Sequence, residues 1–109
     1  MKRTKMLVAV LLVLMLSVVS FAAPKIALIM KTLTNPFFLT MKDGAVQAGK
    51  DFGVDLLVVS AELETSIMQQ ISLIQDMTTQ KVDAIVIAPI DSKAVVPALA
   101  EAQKAGIHI

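Results

Sequence analysis

Side chains that form hydrogen bonds follow two apolar runs of strand length in this chain of 109 residues. In chain order, these side chains are Lys31, Thr32, Asn35, Asp91 and Ser92. They offer ammonium, hydroxyl, amide and carboxylate groups, which donate and accept hydrogen bonds. The chain has a single histidine, His108, so no set of nucleophile, base and orienting group can be assembled around them. The pattern therefore favours ligand binding over catalysis.

Most of these side chains also have simpler structural roles open to them. Asn35 followed by Pro36 has the form of a helix N-cap, and such an asparagine can cap a helix and bind a ligand at once. Asp91 and Ser92 are likewise candidates to cap a helix, and Lys31 is equally compatible with a solvated lysine at a strand end. Both interpretations stay open for each residue on sequence grounds.

Two adjacent aromatic residues, Phe37 and Phe38, follow Asn35. Phe38 falls on the inward stripe of the predicted helix, whereas Phe37 lies one residue off that stripe, in the first turn. An aromatic face at this place suits stacking on the apolar face of a sugar ring. Simple packing explains Phe37 equally well.

The composition excludes several classes of protein and site. Hydrophobic residues make up 56% of the chain, which excludes general disorder. There is no cysteine, so disulfides and thiolate metal sites are excluded, and one histidine excludes a histidine-based metal cluster. The sequence has no G-x-G-x-x-G after its first strand, no G-x-x-x-x-G-K-[ST] and no G-x-S-x-G. We therefore expect neither an enzyme nor a bound cofactor.

Residues 1–22 have the three parts of a secretory signal peptide. Three basic residues precede an apolar core, Leu7–Val19, and small residues favour cleavage after Ala22. An uncleaved membrane anchor is the alternative, but the apolar stretch falls slightly short of the about 20 residues that a spanning helix needs. We expect the mature chain, 23–109, to work outside the cytoplasm. Its seven basic against nine acidic residues argue against a nucleic-acid partner.

Three strand–helix units follow the predicted signal. Continuous apolar runs at 26–30, 56–59 and 84–88 predict strands that are buried on both faces, as in a parallel sheet covered by helices. Residues 107–109 have the form of a fourth strand's beginning. Right-handed crossovers make this α/β order a doubly wound parallel sheet with strand order 2-1-3-4. Such sheets bind ligands at the carboxyl ends of the strands where the order reverses, and both polar groups described above lie there.

The sequence also predicts the helix boundaries and their inward faces. The inward residues predicted for the first helix are Phe38, Met41, Ala45, Ala48 and Phe52, with Gly53 ending it. Those predicted for the second are Ile67, Ile71, Ile74 and Met77, after a capping box formed by Ser66 and Gln69. Those predicted for the third are Val95, Val96, Leu99 and Ala102, after a cap at Asp91 or Ser92, with a small distortion at Pro97.

Three segments resemble one known family. Lys25-Ile-Ala-Leu-Ile-Met-Lys-Thr-Leu-Thr-Asn-Pro-Phe-Phe resembles the opening of mature periplasmic sugar-binding proteins of the ribose, allose and galactose type. Met41-Lys-Asp-Gly-Ala is similar to that family as well, and so is Val82-Asp-Ala-Ile-Val-Ile-Ala-Pro-Ile-Asp-Ser-Lys-Ala followed by Ala105-Gly-Ile. The resemblance implies a bilobed, type I periplasmic binding protein that closes on a monosaccharide. It also implies an ABC permease as the link to the membrane, with a chemoreceptor as a further partner of the full-length form.

The resemblance also implies roles for single residues. Asn35 would hydrogen-bond sugar hydroxyls, and Phe37 and Phe38 would lie against the ring. The position of Lys31 is a polar ligand contact in the family, and a lysine there is similar to the allose-type pattern. Asp91 is added to these four residues because of its place at the edge of the sheet. The predicted ligand-binding set is therefore Lys31, Asn35, Phe37, Phe38 and Asp91.

Two features depart from the family. Ala88 stands where ribose-type members have a hydrogen-bonding side chain, which speaks against ribose itself as the ligand. The chain is also much shorter than family members, so we expect 23–109 to be an incomplete first lobe that does not bind tightly alone. The alternative function is a sugar-responsive sensor or repressor-type core of the same fold, although such repressors carry a basic helix-turn-helix where this chain has a signal.

Overall fold

A computed structural model describes residues 1–15 and 21–109 of the chain. The first helix, α1 (Lys2–Met15), spans the basic residues and the first part of the predicted signal. The rest of the predicted apolar core, residues 16–19, and Ser20 lie outside the described residues. No helix within the described residues is long and apolar enough to cross a membrane.

Three parallel strands form the sheet, at the places that the apolar runs predict. β1 (Lys25–Met30) lies between β2 (Asp55–Ser60) and β3 (Ala84–Ile87), so the spatial order is β2-β1-β3. Both pairings of β1 are parallel and in continuous register. The predicted reversal of strand order at β1 is therefore confirmed.

The end of the chain adds the beginning of a fourth strand beside β3. His108 forms a parallel bridge with Ala84. The Ile85 N–H donates to the His108 carbonyl at 2.8 Å, and the His108 N–H donates to the Asp83 carbonyl at 3.1 Å. These bonds continue the doubly wound, parallel α/β sheet in the predicted order 2-1-3-4.

Helices cover both faces of the sheet. α2 (Pro36–Phe52) packs on one face, whereas α3 (Ile67–Thr79) and α4 (Val96–Lys104) pack together on the other. Because successive side chains of a strand point to opposite faces, β1 serves both cores. Its contributions are Ala27 and Ile29 on the α3–α4 face, and Leu28 and Met30 on the α2 face.

α2 begins and ends as predicted. Asn35 caps it with an extended backbone, and its side chain accepts a hydrogen bond from the Phe37 N–H. Pro36 occupies the first turn, where its missing N–H costs no helical hydrogen bond. Gly53 ends the helix in the left-handed conformation, at φ 66°, which favours glycine.

The inward face of α2 is shorter than predicted. Phe38 is buried and Met41 and Ala45 are half-buried, but Ala48 is exposed and Phe52 is 81% exposed. The prediction was therefore wrong for the last two turns. The reason is that these turns border an open apolar groove of about 280 Å³ beside β2 instead of closing onto the sheet.

The capping box predicted for α3 does not form. Ser66 stands at the N-cap position, but its backbone is not extended (ψ 65°), and its side chain makes no capping hydrogen bond. Gln69 instead turns away from the helix, where its side-chain oxygen accepts from the Glu62 N–H at 2.8 Å. The predicted inward stripe is confirmed, since Ile74 and Met77 are buried and Ile67 and Ile71 are half-buried.

α4 begins later than predicted. Residues 91–95 form turns, and the helix starts at Val96. Pro97 is therefore in the first turn, where proline is tolerated, and the predicted distortion has no cause. Val96 is 55% exposed, against its predicted inward place, whereas Val95 and Ala102 are buried as predicted.

Candidate functional site

Two loops leave the sheet side by side at the carboxyl ends of β1 and β3. The last rung between these strands is the hydrogen bond from the Ala88 N–H to the Ile29 carbonyl, at 2.9 Å. Beyond it, the loop 31–35 leaves β1 and the segment 88–95 leaves β3. Neighbouring strands lie about 4.8 Å apart, so the two loops start within reach of one small ligand.

The first loop is held by Thr32. This side chain is 1% exposed, and its hydroxyl donates to the Glu62 carbonyl at 3.2 Å. The same hydroxyl accepts from the Thr34 N–H at 3.1 Å and lies 2.9 Å from the Thr34 hydroxyl. The position of Thr32 at the end of β1 predicted it as a ligand-binding group. Its hydroxyl instead forms the hydrogen bonds that hold its loop against the loop after β2. Lys31, directly before it, is half-buried at the strand end.

Asn35 joins the helix and the neighbouring loop through the two ends of its amide. Oδ1 accepts from the Phe37 N–H at 3.0 Å, and Nδ2 donates to Glu64 Oε1 at 2.8 Å. Since an amide nitrogen carries two hydrogens, one remains for a ligand. The capping role is confirmed, and the half-buried side chain is also held in a fixed orientation.

Glu64 is a residue whose part in this site the sequence did not indicate. It lies two residues after Glu62, and 29 positions separate it from Asn35. No local spacing rule connects residues so far apart. The contact arises because β1 and β2 are neighbours, which brings their following loops together.

The two phenylalanines divide between core and surface. Phe38 is 7% exposed and packs with Leu28 and Met30, whereas Phe37 is 65% exposed. Their rings meet edge to face, with centroids 5.2 Å apart and planes at 87°. Phe38 therefore supports the exposed ring of Phe37 from behind. An open depression of about 500 Å³ lies at Phe37, lined also by Pro36, Thr40 and Met41.

Asp91 caps the turn that precedes α4. Its Oδ1 accepts from the N–H groups of Lys93 and Ala94, both at 2.8 Å, which leaves Oδ2 for a further donor. The Ala94 and then the Lys93 N–H hold the pKa of this exposed carboxyl below its ordinary value of 3.8. Ser92 beside it is exposed. The cap predicted here exists, but it serves a turn and not the helix itself.

The lowered pKa of Asp91 predicts an acid-sensitive turn. A carboxyl whose folded pKa lies below its unfolded pKa stabilises the fold above the unfolded value, and this stabilisation is lost as the pH falls through the folded pKa. We expect a carboxyl carbon NMR titration to give Asp91 a midpoint below 3.8. Asp91→Asn keeps an acceptor without the charge, so it should remove this acid-linked loss of stability. A midpoint at or above 3.8 would contradict the hydrogen-bond geometry.

Gln70 of α3 is a second residue that the sequence did not assign. It is fully buried, at 0% exposure, and its side chain reaches the backbone at the ends of both β1 and β3. A signal was present in the sequence, because Gln70 stands four residues before Ile74 and seven before Met77, on the buried stripe of α3. A polar residue on such a stripe is buried only with partners.

Metal ligands do not gather at this edge. Within residues 1–15 and 21–109, no three side chains of the histidine, cysteine, aspartate or glutamate types come together as a metal site would need. What the two loops present is an aromatic ring, an amide, an ammonium and a carboxylate. This arrangement can bind an uncharged, hydroxyl-rich molecule through one apolar face and several hydrogen bonds.

Residues 26–109 match the family model of the periplasmic binding protein domain. The chain is 47% identical over 88 residues to the D-ribose/D-allose-binding protein of Pseudomonas aeruginosa, covering 79% of this chain and 28% of that protein. It is 35% identical over 96 residues to the D-allose-binding periplasmic protein of Escherichia coli, covering 88% and 31%. A periplasmic solute-binding protein of an ABC transporter from Actinobacillus succinogenes, solved with bound D-allose, superposes with a TM-score of 0.73 at 44% identity, covering 79% and 29%.

The chain thus spans about three tenths of the length of these relatives. The matched residues contain β1 from Ile26 onward, β2, β3, the helices α2 to α4 and both loops of the candidate site. The matched sequence leads to the same conclusion as the order of the strands and the position of the candidate site. The chain belongs to the periplasmic binding protein domain family.

Proposed function

We propose that residues 23–109 form part of the sugar-binding component of an ABC importer, and that the carboxyl edge of β1 and β3 is one side of its monosaccharide site. The observation that carries this proposal is the exposed ring of Phe37 next to the oriented amide of Asn35. A sugar ring has an apolar face bordered by hydroxyls. An aromatic plane beside hydrogen-bonding groups matches both.

Each residue of the predicted set has a distinct role in this proposal. Phe37 stacks on the apolar face of the ring, and Phe38 stabilises Phe37 from the core. Asn35 donates to a sugar hydroxyl through its remaining Nδ2 hydrogen. Lys31 donates from the end of β1, and Asp91 accepts through Oδ2 from the loop after β3.

An aldohexose of the allose type fits this edge better than ribose. The family resemblance implies a hydrogen-bonding side chain at position 88 in ribose-type members, whereas Ala88 offers only a methyl group at the end of β3. Lys31, on the neighbouring strand end, supplies a long and charged donor instead. The names of the relatives from P. aeruginosa and E. coli, and the bound D-allose of the A. succinogenes protein, support this class of ligand. The proposed partners are the permease of the importer and, in the full-length form, a chemoreceptor.

The function is tested with a complete binding protein that carries this edge. In the chimera, residues 25–109 replace the matching segment of the P. aeruginosa relative. Titration calorimetry with D-allose, D-ribose, D-galactose, D-xylose and inositol should show binding of D-allose or D-ribose in the micromolar range or tighter. A correctly folded chimera that binds none of these sugars would contradict the proposal.

Location gives an independent prediction. Periplasmic binding proteins work in the periplasm, and we propose that residues 1–22 direct this chain there and are removed. The basic residues, the apolar core and the small residues before Ala23 should give cleavage after Ala22. The intact mass of the protein recovered from the periplasm checks this: a mass that retains Met1–Ala22 would contradict it, and substitution of the three basic residues by glutamate should retain the precursor in the cytoplasm.

A further inference from the structure

Gln70 lies at the carboxyl ends of β1 and β3, where the loops that follow these two strands separate. Its Nε2 donates to the Ala88 carbonyl at 3.0 Å and, at the longer distance of 3.5 Å, to the Met30 carbonyl. Its Oε1 accepts from the Ile90 N–H at 2.8 Å. One side chain therefore forms hydrogen bonds with the backbone of the last residue of β1 and of two residues that follow β3.

The hydrogen bonds of Gln70 lie just beyond the last backbone hydrogen bond between β1 and β3. The last rung between the strands is the bond from the Ala88 N–H to the Ile29 carbonyl. Beyond that rung the strands separate. The Met30 carbonyl there accepts from the Ala61 N–H at 3.3 Å as well as from Gln70, and the N–H of the half-buried Ile90 has Gln70 as its partner. The amide nitrogen of Gln70 donates to both strand ends and its oxygen accepts from the loop after β3, so one side chain links the end of β1 to that loop.

Two of the three partners of Gln70 are direct chain neighbours of proposed sugar contacts. Met30 precedes Lys31, and Ile90 precedes Asp91. We infer that Gln70 is a positioning residue, which sets the separation of the loops that carry Lys31 and Asp91 and so tunes sugar affinity without touching the sugar. This inference rests on the proposed function, because it assigns a role within the same site.

Replacing Gln70 with methionine tests the inference, since methionine has a similar length but makes none of the three hydrogen bonds. The two loops then lose their common anchor. The Ala88 carbonyl and the Ile90 N–H lose the Gln70 side chain as a partner, and the Met30 carbonyl keeps its bond from the Ala61 N–H. We expect the Gln70→Met chimera to remain folded at 25 °C and to bind D-allose about 10- to 100-fold more weakly than the wild type.

Two control variants separate positioning from stability. Ile74→Val weakens the core on the same helix, and the Ile74 side chain forms no hydrogen bond to either loop. Gln75→Met makes the same chemical change at an exposed position of α3. Both should bind D-allose within twofold of the wild type. A Gln70→Met chimera within twofold of the wild type would overturn the inference, and so would a loss of affinity in Ile74→Val as large as that in Gln70→Met.

A further cycle tests whether Gln70 acts through the loops. In an Asp91→Ala background, the change Gln70→Met should cost less affinity than in the wild type, because one of the positioned groups is already absent. Equal losses in both backgrounds would contradict positioning of Asp91.

A measurement without sugar keeps the inference testable if the site fails to bind. In the ligand-free chimera, Gln70→Met should shift the backbone amide signals of Lys31 and Asp91 more than those of residues at the opposite ends of the strands. Unchanged loop signals would overturn the inference, whatever the outcome for sugar binding. In the wild-type chimera, the side-chain amide protons of Gln70 should exchange with solvent more slowly than those of Gln75; equal rates would overturn the inference too. A wild-type chimera that binds no sugar would instead contradict the proposed function alone.

Discussion

Replacing Asn35 with alanine is expected to lower the affinity of the chimera for D-allose by about 30- to 150-fold, because a buried polar contact contributes about 2–3 kcal/mol when its partner is left unpaired. The same change removes the acceptor that caps α2 and should lower the free energy of unfolding by about 1 kcal/mol. Calorimetry measures the first effect and thermal unfolding the second.

A matched variant separates the two roles of this residue. Serine is a good N-cap, so Asn35→Ser should retain most of the stability, yet its short hydroxyl cannot bridge to Glu64 or reach a sugar as the amide does. Asn35→Ser should therefore unfold like the wild type and bind like Asn35→Ala. Wild-type affinity in Asn35→Ser would mean that Asn35 only caps the helix.

The chain of 109 residues is expected to bind D-allose at least 1,000-fold more weakly than the chimera. Sugars present many hydroxyls, and tight binding needs the ligand to be enclosed between two lobes. The edge described above is open, with Phe37 65% exposed and Asn35 and Lys31 half-buried. Apolar side chains such as Phe52 and Val86 are exposed as well, so we also expect a weakly stable chain that associates.

Titration of the chain and of the chimera with the same sugars, together with sedimentation, measures this difference. Phe37→Ala should weaken the chimera but leave the already weak binding of the chain almost unchanged. A monomeric, cooperatively folded chain with micromolar affinity would contradict the prediction. It would mean that one edge of one lobe supplies most of the binding free energy.

Local rules were sufficient to predict the elements that carry the site. The strands follow uninterrupted apolar runs, and their order follows from the handedness of the crossovers, so β1 and β3 could be placed together before the structure was known. Asn35, Pro36 and Gly53 define α2 through backbone geometry that depends on the residue itself. The strands and the ends of α2 were predicted correctly because each depends on neighbours along the chain, and the strand order was predicted correctly from a general rule for α/β sheets.

The features that sequence patterns missed depend on contacts between distant segments. Gln69 has the right spacing for a capping box, but the Glu62 N–H offered its side chain a partner outside the helix. Phe52 has the right spacing for the core, but none of the helices and strands in the described part of the chain closes over it. Glu64 and Gln70 act through tertiary hydrogen bonds over 18 to 40 positions. The helical spacing indicates that Gln70 is buried, but no local pattern identifies the partners of either residue.

A crystal structure of the chimera with D-allose tests the central claim most directly, namely that the carboxyl edge of β1 and β3 in this chain is one side of a monosaccharide site. The account predicts that the apolar face of the sugar ring lies against Phe37. It further predicts hydroxyl oxygens within about 3 Å of Asn35 Nδ2 and Lys31 Nζ. A sugar bound elsewhere, or bound between the lobes without contact to Phe37 and Asn35, would contradict it.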